Sequence, residues 1–178
     1  AEFPSPPAPP GPCSRSSYRY FWLEIRGTGW SEFAEFELWQ QGSEVEINPS
    51  PSTIYAASGT YSSDYSGNGG TGGATGTGEC VGCANDNRYT SCWCPSSNNM
   101  CTSFGACYLK YDIGTPRPID QVRVHTHACG YPGMNAFRLH GSNSATGPWA
   151  LLIERTTGLA NTDQIHTIPL PPSPSSSS

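Results

Sequence analysis

Alternation of apolar and polar residues in five stretches of the chain is the feature that most restricts its fold. Period two along a strand puts every second side chain on the same face of a sheet. The apolar members are Phe21, Leu23, Ile25, Ala34, Phe36, Leu38, Leu109, Tyr111, Ile113, Val122, Val124, Phe137 and Leu139. Residues 149–154 and 164–170 are predicted to form two further short strands, and no window shows a useful helical period. The pattern predicts an all-β fold of two antiparallel sheets packed face to face.

Composition agrees with one β domain and excludes some classes of partner. The chain has 178 residues, of which 35% are hydrophobic, 20 are Gly and 17 are Pro. This length suits one domain with tails. The net charge is −5 and Lys110 is the single lysine. Without a basic patch to neutralise phosphates, nucleic acid is not an expected partner. No apolar run approaches the ~20 residues of a membrane span.

Both ends of the chain are rich in proline, so we divide the sequence into three parts. Residues 1–12, with six prolines, and residues 171–178 favour extended polyproline II, because proline fixes φ and removes a hydrogen-bond donor. Residues 13–170 form the β-sandwich, with a Gly/Cys-rich insertion at 59–107. No Asn-x-Ser/Thr acceptor with a permitted middle residue occurs, so glycans are expected to be O-linked. The predicted acceptors are Pro6, Pro7, Pro9, Pro10, Pro171, Pro172, Ser173 and Pro174.

The cysteines predict disulfides in an oxidising compartment. Six of the eight fall between Cys80 and Cys107, within the insertion; the full set is Cys13, Cys80, Cys83, Cys92, Cys94, Cys101, Cys107 and Cys129. Zinc is the alternative suggested by "CVGC" and "CWC", but the Pro/Ser tails and scarce lysine favour an extracellular chain with disulfides. Since the other six cluster locally, we expect Cys13 and Cys129 to form the long-range pair. The clustered cysteines are expected to staple the insertion to the sandwich.

Two successive stretches carry a family likeness. "LKYDIGTPRPIDQVRV" followed by "FRLHGSNSATGPWALL" resembles the core of the discoidin, or coagulation-factor type C, domain. The likeness lies in Asp112 and Gly114, Ile119 and Val122, the sequence at 141–143, and the segment 149–152. It covers most of residues 18–155 and implies a galactose-binding-like jelly roll. The glycine- and cysteine-rich insertion departs from the family pattern.

The same resemblance implies a structural calcium site at residues 84–93. The family loop Ala-x-Asp-Gly-x-x-x-Thr-x-Trp is matched by "ANDNRYTSCW", with a Glu supplied by the second strand. The implied ligands are Glu35, Ala84, Asp86 and Ser91. Carboxylate, carbonyl and hydroxyl oxygens suit this hard cation. The alternative is a polar turn held by side-chain hydrogen bonds, in which a disulfide through the neighbouring cysteine replaces the ion.

Candidate ligand-binding residues follow from the usual place of sugar sites in this fold, the loops at one end of the sandwich. An aromatic platform with a few directed polar groups is needed. The candidates are Trp30, His127, Tyr131 and Arg138, and for the aromatic ones the alternative is packing against the edge of the core. His125, His127 and Cys129 share a strand face and could contribute to a metal site, but two surface histidines and a disulfide cysteine explain them better. The clustered glutamates are explained by a solvated strand face rather than by glycoside hydrolysis.

Taken together, these features predict a secreted, non-catalytic module of an extracellular matrix, cell wall or surface fibre. Its Pro/Ser tails resemble the hydroxyproline-rich glycoproteins of green algae in composition. The alternatives are a carbohydrate-binding module acting as a soluble or tethered lectin and, more remotely, a glycan-active enzyme. Self-association into a fibre is predicted through docking of the proline-rich ends onto outward-facing aromatics, namely Tyr20, Trp22 and Trp39.

Overall fold

The structure is a computed structural model, and it describes residues 15–27, 35–40, 46–47, 54–57, 101–126, 134–156, 159 and 164–171. These ranges contain nine strands and no helix. The strands are β1 (Ser17–Arg26), β2 (Glu35–Trp39), β3 (Glu46–Ile47), β4 (Ile54–Ala57), β5 (Cys107–Pro118), β6 (Gln121–Thr126), β7 (Ala136–Ser142), β8 (Ala150–Arg155) and β9 (Gln164–Pro169). They form a five-stranded sheet in the order β4-β5-β1-β7-β8 and a four-stranded sheet in the order β3-β2-β6-β9. All pairs are antiparallel, which confirms the all-β prediction.

The two sheets share one hydrophobic core. Side chains predicted to face inward are fully buried on β1, where Phe21, Leu23 and Ile25 are 0% exposed. Phe36 of β2 and Phe137 of β7 join the sheets, with ring centroids 5.6 Å apart and an interplanar angle of 78°. Each side chain of this size contributes ~1.5–3 kcal/mol when it is removed from water. The alternation in the sequence therefore identified the core of this two-sheet arrangement.

Strand β1 lies at the centre of the five-stranded sheet, and its two neighbours fix the rows across the outer face. Trp22 lies opposite Lys110 of β5 and opposite His140 of β7. A register shift between Tyr18 and Tyr20 interrupts the alternation at the start of the strand. On the N-terminal side of this shift, Tyr18 packs against the core, and its ring centroid lies 6.5 Å from that of Phe21. The sheet thus brings side chains from distant segments into one row.

A disulfide joins Cys101 to Cys107 at the start of β5. Both cysteines are 0% exposed, and Gly27 N donates a hydrogen bond of 2.8 Å to Cys101 O. Closing a loop with a sequence separation of 6 contributes about 2 kcal/mol in the chain-entropy account. The pair confirms the prediction of disulfides for these two residues. The other six cysteines, including the expected Cys13–Cys129 pair, lie outside the described residues.

The first and last described residues meet at one corner of the molecule. The Arg15 guanidinium donates a hydrogen bond of 2.9 Å from Nη1 to Leu170 O. The same nitrogen lies 3.4 Å from Asp120 O and 3.4 Å from Pro171 O. Leu170 N donates to Asp120 O at 2.7 Å. One side chain therefore ties the segment before β1 to the segment after β9.

Several sequence predictions differ from the structure in their extent. Strand β5 continues to Pro118, beyond Ile113, the last alternating apolar residue of that stretch, and the short strands β3 and β4 were not predicted. Residues 1–12 and 172–178 lie outside the described residues, as does the predicted insertion from 59 to 100. The described part of the chain contains no helix that is both long and apolar enough to cross a membrane.

Candidate functional site

Five side chains cluster on the outer side of the five-stranded sheet: Trp22, Tyr108, Lys110, His140 and Trp149. We call this cluster the aromatic face. The His140 ring stacks on Trp22 with centroids 5.0 Å apart and an interplanar angle of 29°. Trp149 and Tyr108 contact Trp22 edge-to-face, with centroid distances of 5.7 Å and 6.3 Å. All five side chains are partly exposed, so the aromatic face is open to solvent.

Lys110 places its ammonium group among three of these rings. Nζ lies 4.8 Å from the ring centroid of Trp22, 5.3 Å from that of Trp149 and 5.7 Å from that of Tyr108. Such cation–π contacts hold a cation by the negative faces of the rings. No carboxylate of the described residues lies within ion-pair distance of Nζ. The ammonium group has three N–H donors, so its charge is held in place but not neutralised.

A buried carboxylate supports the stacked imidazole. Glu24 Oε2 and His140 Nε2 are 2.7 Å apart, and the two side chains are only 8% and 15% exposed. This contact orients the ring that stacks on Trp22. The indole nitrogen of Trp22 is also buried, and no hydrogen-bond acceptor for it occurs among the residues the structure describes. Trp22 is therefore fixed by its ring contacts rather than by its N–H group.

Two ion pairs border the aromatic face and neutralise their own charges. Arg19 binds both carboxylate oxygens of Asp112 at 2.7 Å and 2.8 Å, and Gly114 N donates to Asp112 at 2.8 Å. The hydrogen bond from Arg19 lowers the pKa of the Asp112 carboxyl against the opposing effect of burial, with help from Gly114. The same contact raises the pKa of Arg19. On the other side, Arg138 Nε lies 2.8 Å from Glu154 Oε2.

A cavity of about 530 Å³ adjoins the aromatic face at the loop between β7 and β8. Ligand pockets commonly have volumes of ~300–1,000 Å³. The walls combine two aromatic rings with small polar groups: the cavity is lined by Tyr18, Gly141, Ser142, Asn143, Ser144, Pro148, Trp149 and Ala150. Trp149 belongs both to this cavity and to the aromatic face. The two features therefore form one continuous candidate site.

Two glycines position the aromatic walls of the cavity. A Cβ atom at Gly141 would lie 2.6 Å from Cδ2 of Tyr18, so the Tyr18 ring packs directly on the backbone of β7. Gly147 has a φ of +93°, which favours glycine, and a Cβ atom there would lie 2.8 Å from Cδ1 of Trp149. Both ring positions therefore depend on the absence of a side chain.

Polar contacts of the loop decide which groups remain for a ligand. The Asn143 side chain joins the loop to β1: Oδ1 accepts from Arg19 N at 3.1 Å, and Nδ2 donates to Ser17 O at 3.0 Å. The hydroxyls of Ser144 and Thr146 lie 3.2 Å apart on the exposed part of the loop. Each hydroxyl keeps further hydrogen-bonding capacity, so this edge of the cavity can bind polar groups such as sugar hydroxyls.

Of the ligand residues predicted from the sequence, Arg138 is the one that lies in the described ranges. It projects from β7 beside the aromatic face, where its guanidinium carbon lies 4.1 Å from the ring centroid of Phe104 and its charge is paired with Glu154. Trp30, His127 and Tyr131 lie outside the described residues. Whether Arg138 lies close to these three residues therefore stays a prediction.

Most of the predicted calcium ligands also lie outside the described residues. Glu35 begins β2, where its backbone pairs with that of His125. Ala84, Asp86 and Ser91 lie outside the described residues, so the calcium site stays a prediction. Within the ranges that are described, no group of three or more His, Cys, Asp or Glu side chains could hold a metal ion. His125 is buried. His127 and Cys129, the other two residues considered above as a possible metal site, fall outside those ranges.

Sequence reasoning did not identify Lys110, His140 and Trp149 as site residues. The signals were weak: Lys110 is the single lysine of the chain, and Trp149 follows a Gly-Pro pair in a loop. Their proximity depends on the pairing of β1 with β5 and β7. Comparison with protein-family models, with curated proteins and with solved structures finds no match to this chain.

Proposed function

We propose that this chain is a secreted, non-catalytic adhesion module that binds glycan at the aromatic face and the adjoining cavity. The observation that carries the proposal is the position of Trp149, which lines the cavity and contacts Trp22 at 5.7 Å. Sugar rings present apolar C–H faces that stack on aromatic rings, while their hydroxyls form hydrogen bonds. A concave site with aromatic walls and a few polar groups suits such a ligand.

The rings of the site differ in how much of their surface a ligand could use. Trp22 is flanked by Lys110 on the β5 side and by the stacked His140 ring on the β7 side. Trp149 and Tyr108 meet Trp22 at steep interplanar angles of 66° and 86°, so neither ring is stacked face to face with it. We therefore assign the stacking role to Trp149 and Tyr108, and the supporting role to Trp22.

The proposal that the module is non-catalytic is supported by the contacts of its carboxylates. Glycoside hydrolysis commonly uses two carboxyl groups, one acting as acid and one as base or nucleophile. Four carboxylates are each engaged by a neighbouring donor; the pairs are Glu24 with His140, Glu37 with Trp39, Asp112 with Arg19, and Glu154 with Arg138. Such engaged groups suit a binding surface better than a hydrolytic centre.

The jelly-roll topology and the extracellular location are part of the same proposal. We propose a discoidin-like jelly roll, supported by the placement of β1 between β5 and β7, strands far from it in sequence. The Cys101–Cys107 disulfide supports an extracellular location. The Pro/Ser tails would carry O-linked glycans, and the loop at residues 84–93 with Glu35 would bind a structural calcium ion.

Binding to a panel of immobilised neutral and acidic polysaccharides tests the function. The wild-type chain should be retained by at least one glycan, and Trp149→Ala should weaken that retention about tenfold or more, since an aromatic stacking contact is lost. Ile165→Ala is the control, because Ile165 is 55% exposed on β9 of the opposite sheet. Circular dichroism establishes that both variants fold. Retention by no glycan, or unchanged retention of Trp149→Ala, would contradict the proposal.

A second function, self-association into a fibre, is supported by β8. This strand forms an edge of the five-stranded sheet and, among the residues described, pairs with β7 alone. No residue of β8 is buried, and Leu151 is 54% exposed. Exposed edge strands are templates for pairing with another chain. Sedimentation velocity of the wild type, of Leu151→Lys and of a chain lacking residues 1–12 would separate strand pairing from assembly through the proline-rich end.

A further inference from the structure

We infer that the glycan bound at this site is anionic, and that Lys110 contacts its carboxylate or sulfate group. The inference rests on the proposed function and specifies its ligand class. Lys110 is the single lysine of the chain, and its Nζ lies within 5.7 Å of the ring centroids of Trp22, Tyr108 and Trp149. Its charge has no carboxylate partner among the described residues.

The charges around the site favour an anion although the whole chain carries a net charge of −5. Among the residues that the structure describes, the outer side of the five-stranded sheet carries four cationic side chains and three carboxylates. They are Arg19, Arg26, Lys110 and Arg138, against Glu24, Asp112 and Glu154. Two of the cations are cancelled by close ion pairs, and Glu24 contacts His140. Arg26 and Lys110 both lack a carboxylate partner among the described residues, but Arg26 lies over Phe104 at 4.9 Å, outside the aromatic face, whereas Lys110 lies at the centre of that face.

The position of Lys110 relative to the cavity gives the contact its geometry. Trp149 lines the cavity, and its ring centroid lies 5.3 Å from Nζ of Lys110. A sugar ring that stacks on Trp149 therefore brings its substituents within reach of the ammonium group. Because Lys110 is half-buried, the effective dielectric around it is lower than in water, and its attraction for an anion is correspondingly stronger.

The competing explanation is that Lys110 only stabilises the fold through cation–π contacts. The chain offers an internal reference for that role on the opposite sheet, where Arg123 lies over Trp39 at 3.7 Å. A purely structural Lys110 would affect the binding of neutral and acidic sugars equally, because it would act by positioning Trp149. A ligand-binding Lys110 would affect the acidic form alone.

Isothermal titration with matched glycan pairs separates these roles. The probes are oligogalacturonate with its full methyl ester, and a sulfated galactan oligomer with its desulfated form. The wild type should bind one anionic member about 10- to 100-fold more tightly than its neutral counterpart, as expected for a charge-assisted hydrogen bond. Lys110→Met keeps the aliphatic stem and should abolish this preference while binding of the neutral form persists. Arg123→Met, the control, should keep the preference.

Salt supplies a second readout. Raising the ionic strength from about 0.1 M to about 1 M shortens the screening length from about 10 Å to about 3 Å, so the preference for the anion should shrink and neutral binding should hold. Equal affinity for both members of each pair, or an equal loss for both in Lys110→Met, would overturn the inference and leave the proposed function intact. Binding of no glycan would overturn both. The pair that shows the preference identifies the group as carboxylate or sulfate.

Discussion

The outer faces of the two sheets contain the same kinds of residue in different arrangements. On the four-stranded sheet, Arg123 lies over Trp39 at 3.7 Å, and Trp39 Nε1 donates a hydrogen bond of 2.6 Å to Glu37. On the five-stranded sheet, Lys110 lies over Trp22 at 4.8 Å, but Trp22 Nε1 has no acceptor among the described residues. On the four-stranded sheet, the tryptophan beside the cation also contacts a carboxylate. On the five-stranded sheet, the cation lies near a cavity.

The difference shows that a tryptophan next to a cation is not by itself a sign of a binding site. The trio on the four-stranded sheet balances its charges with its own residues, although Arg123 Nε is also buried without an acceptor among the residues described. The aromatic face has a charge that a ligand could match and a cavity in which the ligand could lie. The outward aromatics also do not form one surface: Trp22 and Trp39 lie on different sheets, which divides the surface expected to receive the proline-rich ends.

The largest expected effect comes from replacing Trp39 by phenylalanine, with Trp22→Phe as the comparison. Trp39→Phe removes the donor to Glu37, which is 5% exposed, and should lower the free energy of unfolding by about 3 kcal/mol. Trp22→Phe removes an indole N–H that has no acceptor in the described part of the chain, so the loss should be about 1 kcal/mol or less. Urea unfolding measures both values. Equal losses would remove the energetic distinction between the two faces.

A smaller effect is expected at the wall of the cavity. Gly141→Ala forces Tyr18 to move, since the added Cβ would lie 2.6 Å from its ring, and should cost about 2 kcal/mol and weaken glycan binding. Gly114→Ala is the matched control: it has a φ of +82° but open space around the added Cβ, so it should cost about 1 kcal/mol without affecting binding. Thermal unfolding and glycan titration check the pair. Unchanged binding in Gly141→Ala would separate the cavity from the site.

The smallest effect concerns the ion pair at the border of the aromatic face. Because Arg19 lowers the pKa of Asp112, the folded state favours the ionised carboxylate, and the stabilisation is present above the ordinary carboxyl pKa of about 3.9. It is lost as the pH falls through the lower pKa of the folded state. The wild type should therefore unfold at a higher temperature than Asp112→Asn near pH 6. In strong acid the unfolding temperatures of the two proteins should become equal. A constant difference across the pH range would contradict this assignment.

The core was predictable from the sequence because burial on one side of a strand leaves a period-two pattern. Phe21, Leu109 and Val122 are fully buried as the alternation predicted. The same pattern could not show that outward-facing Glu24 and Glu37 are only 6% and 5% exposed. Their burial depends on side-chain contacts that alternation does not show: Glu24 of β1 meets the His140 ring of β7, and Glu37 accepts a hydrogen bond from Trp39 of its own strand.

The candidate site could not be predicted because its residues meet only through strand pairing. Trp22 and Lys110 are far apart in sequence, and the register of β1 with β5 places them side by side. Strand β5 also continues through Pro116 and Pro118, residues that argue against a strand. Its pairing with β4 involves residues 109–111, so beyond them β5 pairs, within the described ranges, with β1 alone. Prolines are tolerated along an edge where no ladder hydrogen bond is needed. Local propensity contains none of this information.

The tie made by Arg15 has a mechanical consequence. Arg15 and Pro171 lie at the same corner, joined through one guanidinium group with its shortest bond, 2.9 Å, to Leu170 O. A force that pulled outward on both ends of the described fold would load these few hydrogen bonds first, before the strand ladders behind them. The β-sandwich would then lie to one side of the stretched chain. Because Asn143 of the cavity is hydrogen-bonded to Ser17 O and Arg19 N, close to the loaded Arg15, tension along the chain would be transmitted to the wall of the candidate site.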